Sequence, residues 1–269
     1  MSWNFMDPAS RANIDRVWRR EADGMLELAS DPEAWEASTG AGHWQVRDVI
    51  GHLVDTTEAY FTSFDAARGK GEAADPLGLP DMAKHVDNGA QRFRDTPQTE
   101  LLDRLHAARE RMLGIAAELT DDEWATLMVP HKYMGPLPAA FYPIFQVVDY
   151  TVHSWDIREG SGRSHGMDGD AADLLVPLCF VLWQYTCNVG DRKSTLGIRI
   201  TSGANAGDTR AEIADGAMTF MPGDLDNVEN VLEFDPASFV LTAYGRTNAG
   251  TYRGDRQLLD RFCNLFFRI

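Results

Sequence analysis

The sequence predicts a two-part protein of the α plus α+β class: an N-terminal four-helix up-and-down bundle followed by a small α+β domain. Three observations predict it. Apolar residues recur at helical spacing in four long stretches across the first two-thirds of the chain. A glycine-rich break, REGSGRSHGMDGD (158–170), interrupts that pattern. Beyond about residue 195 the texture changes to short strand-like runs separated by turn residues. A chain of 269 residues suits one large or two modest domains. The division falls at the break, giving a helical domain over 1–165 and an α+β domain over 166–269 that includes its leading helix.

The elements follow in order. Residues 9–29 space Ile14, Val17, Trp18, Met25 and Leu26 along one helical face. Residues 44–61 do the same with Val46, Val49, Ile50, Leu53, Tyr60 and Phe61. The stretch 66–98 is rich in Gly, Pro and Asp and reads as a long connection with a short helix near 81–93. Residues 98–119 repeat Leu101, Leu105, Met112, Ile115 and Leu119, and 139–158 form the fourth long helix. After the break comes a very apolar helix at 171–187. Strands are expected at 196–201, 210–214, 217–221 and 231–234. DPASFVLTAYGR reads as a capped helix, with Asp235 at the N-cap, Pro236 in the first turn and Gly245 just past the end. TYRGD suggests a last strand before a helix at 255–267.

Composition narrows the function. With 44% hydrophobic and 25% charged residues the chain is an ordinary globular protein. A net charge of −16 and a pI near 4.7 argue against nucleic acid or an anionic membrane as a main partner. A small anionic ligand held by a local arginine remains compatible. The three cysteines, Cys179, Cys187 and Cys263, form no CxxC pair, and Cys179 and Cys263 sit in apolar runs that suggest buried thiols. The N-terminus carries no apolar signal-peptide core, and LLVPLCFVLWQY (174–185) is too short to span a bilayer, so a cytoplasmic protein is expected. No phosphate-binding glycine loop, HExxH pair or nucleophile elbow is present.

The chemistry concentrates in VVDYTVHSWDIREG (147–160). At about 100° per residue, Ile144, Val147, Val148, Thr151 and Trp155 share one face of that helix. Tyr142, Gln146, Asp149, His153, Asp156 and Gly160 share the other. Asp149 and His153 are neighbours one turn apart, so a carboxylate and an imidazole can meet one metal ion from a single helix. From spacing alone a wet face, whose Asp–His pair contributes a few tenths of a kcal/mol, is the favoured reading. A ligand from a facing helix would decide for the metal, and His52, at the edge of the apolar face of 44–61, borders the interior where such a ligand belongs. His52 by itself reads equally as a half-buried histidine bonded to a neighbour. His131, in VPHKYMGPLP, is expected in a loop near the start of helix 139–158; it could line a pocket, but a plain loop histidine is the favoured reading.

W-x-V-R-D-V-I-G-H-L around His52, taken with D-Y-T-V-H-S-W-D-I-R around His153, resembles the DinB-like metal-binding four-helix bundles. More narrowly it resembles the mycothiol-dependent maleylpyruvate isomerase family of actinobacteria, in which such a bundle precedes a small sterol-carrier-like α+β domain. DPASFVLTAYGRTNAGTYRGDRQLLDRF looks like that second domain, so the resemblance covers nearly the whole chain. It implies a metal triad of His52, Asp149 and His153, with Asp149 standing where the family usually has glutamate. An aspartate is one methylene shorter, so the ion must sit closer to the helix or be bound differently. The resemblance also implies that Asp156 helps position the thiol cofactor and that Arg246, in Y-G-R, contributes from the second domain. The implied activity is a metal-dependent, mycothiol-dependent S-transferase or isomerase. A divalent ion, zinc by preference, and mycothiol would act on a small electrophilic substrate. A hydrolase using activated water, with Asp156 as its base, and a non-catalytic metal- or ligand-binding protein are the alternatives.

Overall fold

A computed structural model describes residues 2–162 and 165–266. The chain divides into two compact units, Met1–Met167 and Asp168–Ile269. Among the described residues no helix is long and apolar enough to cross a membrane.

The first unit is built on four long helices: α1 (Arg11–Ala29), α2 (Val46–Ala67), α4 (Gln98–Glu118) and α6 (Phe141–Gly160). Shorter pieces complete it: α3 (Met82–Gln91), α5 (Asp121–Thr126), and an antiparallel hairpin of β1 (Met128–His131) and β2 (Gly135–Pro138). The expected apolar faces form its core. Ile14, Val17, Trp18 and Met25 of α1 are sealed from solvent, as are Val49, Ile50 and Leu53 of α2 and Leu101, Leu105 and Met112 of α4. Burying each such side chain contributes roughly 1.5–3 kcal/mol. Helix α1 packs on α6, while α2 contacts α3, α4, α6 and β1.

Two local devices place α2 and α6. Asp48, in the first turn of α2, accepts from the backbone N–H of Gln45 at 3.0 Å, satisfying a donor that the helix start leaves free. Its carboxylate is buried and takes two hydrogen bonds from Arg94, at 2.7 and 2.8 Å. Burial raises its pKa, but Arg94 and the Gln45 N–H outweigh that and hold it below the usual range. Beside the start of α2, α6 runs close under the segment Ser38–Gly40, which is bridged to Gln45. The Gly40 N–H donates to the Asp156 carbonyl at 2.7 Å. A Cβ on Gly160 would collide with the Ser38 carbonyl, so only glycine permits this approach.

Sequence reading differs from the structure in three places here. Helix α2 runs on to Ala67 because Phe64, one turn past Tyr60, is also buried. VPHKYMGPLP is a hairpin rather than a plain loop, and α5, capped by Thr120 and Glu123, precedes it. Three prolines in two four-residue strands hide the strand signature; such strands survive at edges.

The second unit starts with α7 (Gly169–Thr186), whose N-terminus is capped by the Asp168 carboxylate. It continues as a five-stranded sheet in the order β5-β4-β3-β6-β7. The strands are β3 (Ser194–Ile200), β4 (Gly207–Ala214), β5 (Ala217–Pro222), β6 (Val231–Phe234) and β7 (Thr251–Arg253). The β3–β6 pair is parallel and the other three are antiparallel. Helix α8 (Pro236–Ala243) packs on α7, and α9 (Arg256–Cys263) packs on β7. Pro177 lies inside α7 and cannot donate to the Asp173 carbonyl; Asn205 Nδ2 takes that acceptor at 2.7 Å. The proposed cap of α8 is present: Asp235 accepts from the Ser238 N–H, and Gly245 has φ +64. Of the expected linker, residues 161–168 lie between helices, with 163 and 164 outside the described residues. Residue 267, the expected end of the last helix, is also outside them, and α9 ends at Cys263.

Candidate metal centre

Helix α6 is not a half-wet helix. Fourteen of its twenty residues are buried, on every side, including His153 and Asp156 of the polar strip. A strip of ionisable groups inside a bundle has to be satisfied by partners or ligands rather than by water. The surface reading of the Asp149–His153 pair therefore fails.

The structure brings His52, Asp149 and His153 together. One donor atom from each lies within 4.8 Å of the others. His52 Nε2 stands 3.8 Å from Asp149 Oδ1. The two imidazoles meet edge to face with centroids 5.1 Å apart. Donors about 2.1 Å from one zinc ion at a tetrahedral angle stand about 3.4 Å apart. The trio thus fits a divalent ion after a closure of at most about 1.4 Å at its widest pair. Two nitrogens and one carboxylate oxygen also form a donor set that zinc accepts, with a fourth position left for water or a ligand.

Each histidine has an outer partner on Nδ1, and for His153 that partner sets the tautomer. His153 Nδ1 lies 2.8 Å from Asp156 Oδ2, a carboxylate with no solvent exposure. His52 Nδ1 lies 3.3 Å from Thr56 Oγ1. With Nδ1 of His153 donating to a carboxylate, its Nε2 presents a lone pair; the Thr56 hydroxyl beside His52 Nδ1 is able to accept from it in the same way. Asp156 is therefore placed behind His153, where it orients the ring.

Two groups around the site, Trp44 and Thr56, were not singled out from sequence, and a third, His131, was read there as a plain loop histidine. Trp44 stacks at a tilt near both imidazoles, 5.2 Å from His52 and 5.8 Å from His153 between centroids. Its indole N–H donates to Asp87 Oδ1 of α3 at 2.8 Å, and His43 and Gln91 hold the same carboxylate. Thr56 could have been read as the residue one turn beyond His52. His131 ends β1 and is 6% exposed, although the sequence placed it in an open loop. Burial pushes its pKa down to about 4, despite the opposing pull of the Asp149 carboxylate.

Arg246 lies in the second unit, just past α8. Its guanidinium donates to the Tyr244 carbonyl at 2.9 Å. It lines a cavity of about 310 Å³ with Thr242, Thr247, Asn248 and Cys263. Cys179 is buried, whereas Cys187 and Cys263 are half-buried; burial raises all three thiols, Cys263 to about 12. None is poised as a nucleophile.

The chain is similar in fold to the crystal structure of the mycothiol-dependent maleylpyruvate isomerase, with a TM-score of 0.59 and 15% identity. The alignment covers 94% of this chain and 95% of that one. A crystal structure of a histidine-to-alanine mutant of the same isomerase gives a TM-score of 0.60 over the same shares, also at 15% identity. No curated protein matches the sequence. Residues 16–158, more than half of the chain and all of the segment that carries the three donors, match the family model described as the mycothiol maleylpyruvate isomerase N-terminal domain, and the chain belongs to that family of enzymes.

Proposed function

We propose that the protein is a metal-dependent isomerase or S-transferase that uses mycothiol, or a closely similar low-molecular-weight thiol, on a small electrophilic substrate. The observation that carries this reading is the convergence of His52, Asp149 and His153, with the His153 tautomer set for ligation by Asp156. Family membership supplies the thiol and the class of substrate. The reaction assigned to it is addition of the thiol sulfur to a conjugated cis-alkene, rotation about the resulting single bond, and loss of the thiol. In a transferase the adduct is released instead.

A divalent ion bound to this trio lowers the pKa of a thiol, so that the thiolate is available at neutral pH. His52 and His153 would each supply one imidazole nitrogen, and Asp149 would add the negative charge that a dication needs. Asp156 keeps His153 in register and makes it a better donor. Trp44 covers the imidazoles and limits water at the site. Arg246 is assigned to an anionic group of the substrate or of the thiol. A cosubstrate thiol leaves the protein's own cysteines without a role, in keeping with their raised pKa values. The placement of Asp156 weighs against hydrolysis, because the carboxylate that would have to act as base is sealed behind His153.

The test is to incubate zinc-loaded protein with mycothiol and a panel of activated cis-alkenes, maleylpyruvate first, and to follow products by mass and ultraviolet absorbance. Isomerisation or adduct formation that requires both thiol and metal, and is lost in His52→Ala, is the expected result. Turnover without thiol would overturn it, as would a His52→Ala variant of unchanged activity.

A further inference from the structure

The hairpin holds a histidine whose placement the triad does not explain. His131 Nδ1 lies 3.3 Å from the backbone nitrogens of both Tyr133 and Met134 and accepts from each N–H. The nitrogen that accepts cannot carry the proton, so the neutral ring carries it on Nε2. Burial keeps the ring neutral. Tyr142 of α6 anchors the hairpin by donating its hydroxyl to the carbonyls of Val129 and Pro130, at 3.0 and 2.8 Å. The imidazole is therefore set in place from two sides.

Its neighbours place it about one helical turn from Asp149 along α6. The ring lies 5.5 Å from Phe145, one turn before Asp149 on α6, and 6.3 Å from Tyr60, two turns after His52 on α2. Among the described residues Nε2–H has no hydrogen-bond partner. That donor is therefore available to a bound molecule, whereas a purely structural staple would need only the Nδ1 acceptor.

We infer that His131 is a further catalytic residue, whose Nε2–H donates to the substrate oxygen on which negative charge develops as the thiol adds. This role rests on the function proposed above. In that step the carbon–sulfur bond forms, and the alkene π pair moves through the conjugated system onto the carbonyl oxygen as an enolate. Loss of the thiol returns the pair, re-forms the carbon–carbon double bond and regenerates the thiolate. No proton needs to pass to that oxygen. A neutral imidazole suits the task because it donates a hydrogen bond without surrendering its proton.

Two variants separate this role from a structural one. His131→Asn keeps an acceptor for the Tyr133 and Met134 N–H groups but cannot reach into the groove. His131→Gln keeps a donor near the position of Nε2. With mycothiol and maleylpyruvate as probes, His131→Asn is expected to lower kcat about 100-fold, with zinc content, melting temperature and the KM for thiol unchanged. His131→Gln is expected to stay within about tenfold of the parent. Independently of turnover, long-range proton–nitrogen NMR of the imidazole at neutral pH should show Nε2 protonated and Nδ1 bare, with and without zinc. The opposite tautomer, a cationic ring, or a kcat for His131→Asn within about threefold of an active parent would overturn the assignment alone. If His131→Asn loses metal or fold, His131→Gln decides, and its loss of kcat overturns the role. An inactive parent would overturn the functional reading and this role with it.

Discussion

Replacing Asp156 by asparagine should weaken metal binding without touching a ligand. The Asp156 carboxylate is fully buried and lies 2.8 Å from His153 Nδ1. It makes two contributions: an acceptor that fixes the tautomer, and a negative charge that makes Nε2 a stronger donor. Asparagine is nearly isosteric and keeps the acceptor through its carbonyl oxygen, but it removes the charge. Outer partners of metal-bound histidines are worth 10- to 100-fold in affinity, or about 1.4–2.7 kcal/mol. Asp156→Asn should lie at the lower end, about tenfold. Asp156→Ala loses both contributions and leaves a void beside Gly40, so it should approach 100-fold. The assay is competitive zinc titration against a chromogenic chelator at neutral pH. Far-ultraviolet circular dichroism of the metal-free proteins serves as the control for folding. Folded variants whose zinc Kd values equal the parent's would refute the argument, because His153 would then need no outer partner.

Two further outcomes follow from the surroundings of the site. Trp44→Phe removes the 2.8 Å indole hydrogen bond to Asp87 but keeps the ring over the imidazoles. It should lower stability by about 1 kcal/mol in urea unfolding, with the zinc Kd changed less than about threefold, since indole is no ligand. Protonation of His131 gives a pH dependence. The folded-state pKa is about 4 and the unfolded value is about 6.5, so below pH 6.5 the unfolded chain takes up a proton that the folded chain refuses. Stability from this group is full above pH 6.5 and is lost as pH falls toward 4, by about 3 kcal/mol in total. Urea unfolding of metal-free protein across that range should show this slope in the parent and its absence in His131→Asn.

The parts legible in the sequence were those set by residues near one another along the chain. The four long helices announce themselves by period, and the α8 cap by Asp235, Pro236 and Gly245. The i, i+4 and i, i+3 steps of Asp149, His153 and Asp156 are properties of one helix. What spacing could not decide was whether that strip faced water. The answer depends on packing around α6, which buries both of its sides. The hairpin carrying His131 was illegible for a different reason. Its prolines oppose strand propensity, and tertiary anchoring by Tyr142 stabilises it instead. Trp44 was likewise hidden, because its role depends on Asp87, 43 residues away on α3.

The two helices that carry the candidate ligands are built by one rule. In each, a histidine is oriented by a residue about one turn further along its own helix: Thr56 for His52, and Asp156 for His153. Each imidazole is therefore fixed locally, before any contact between helices. The bundle has only to bring α2 and α6 into register. Next to the site, the Thr57 hydroxyl donates to Gln146 Oε1 at 3.1 Å, between fully buried side chains. Gln146 lies one turn before Asp149, and Thr57 follows Thr56 directly. A slip of one helical step between α2 and α6 would break this bond and strand both polar groups, a cost that an apolar contact would not impose. The polar pair thus works as a register mark, and Asp149 meets His52 because Gln146 has met Thr57.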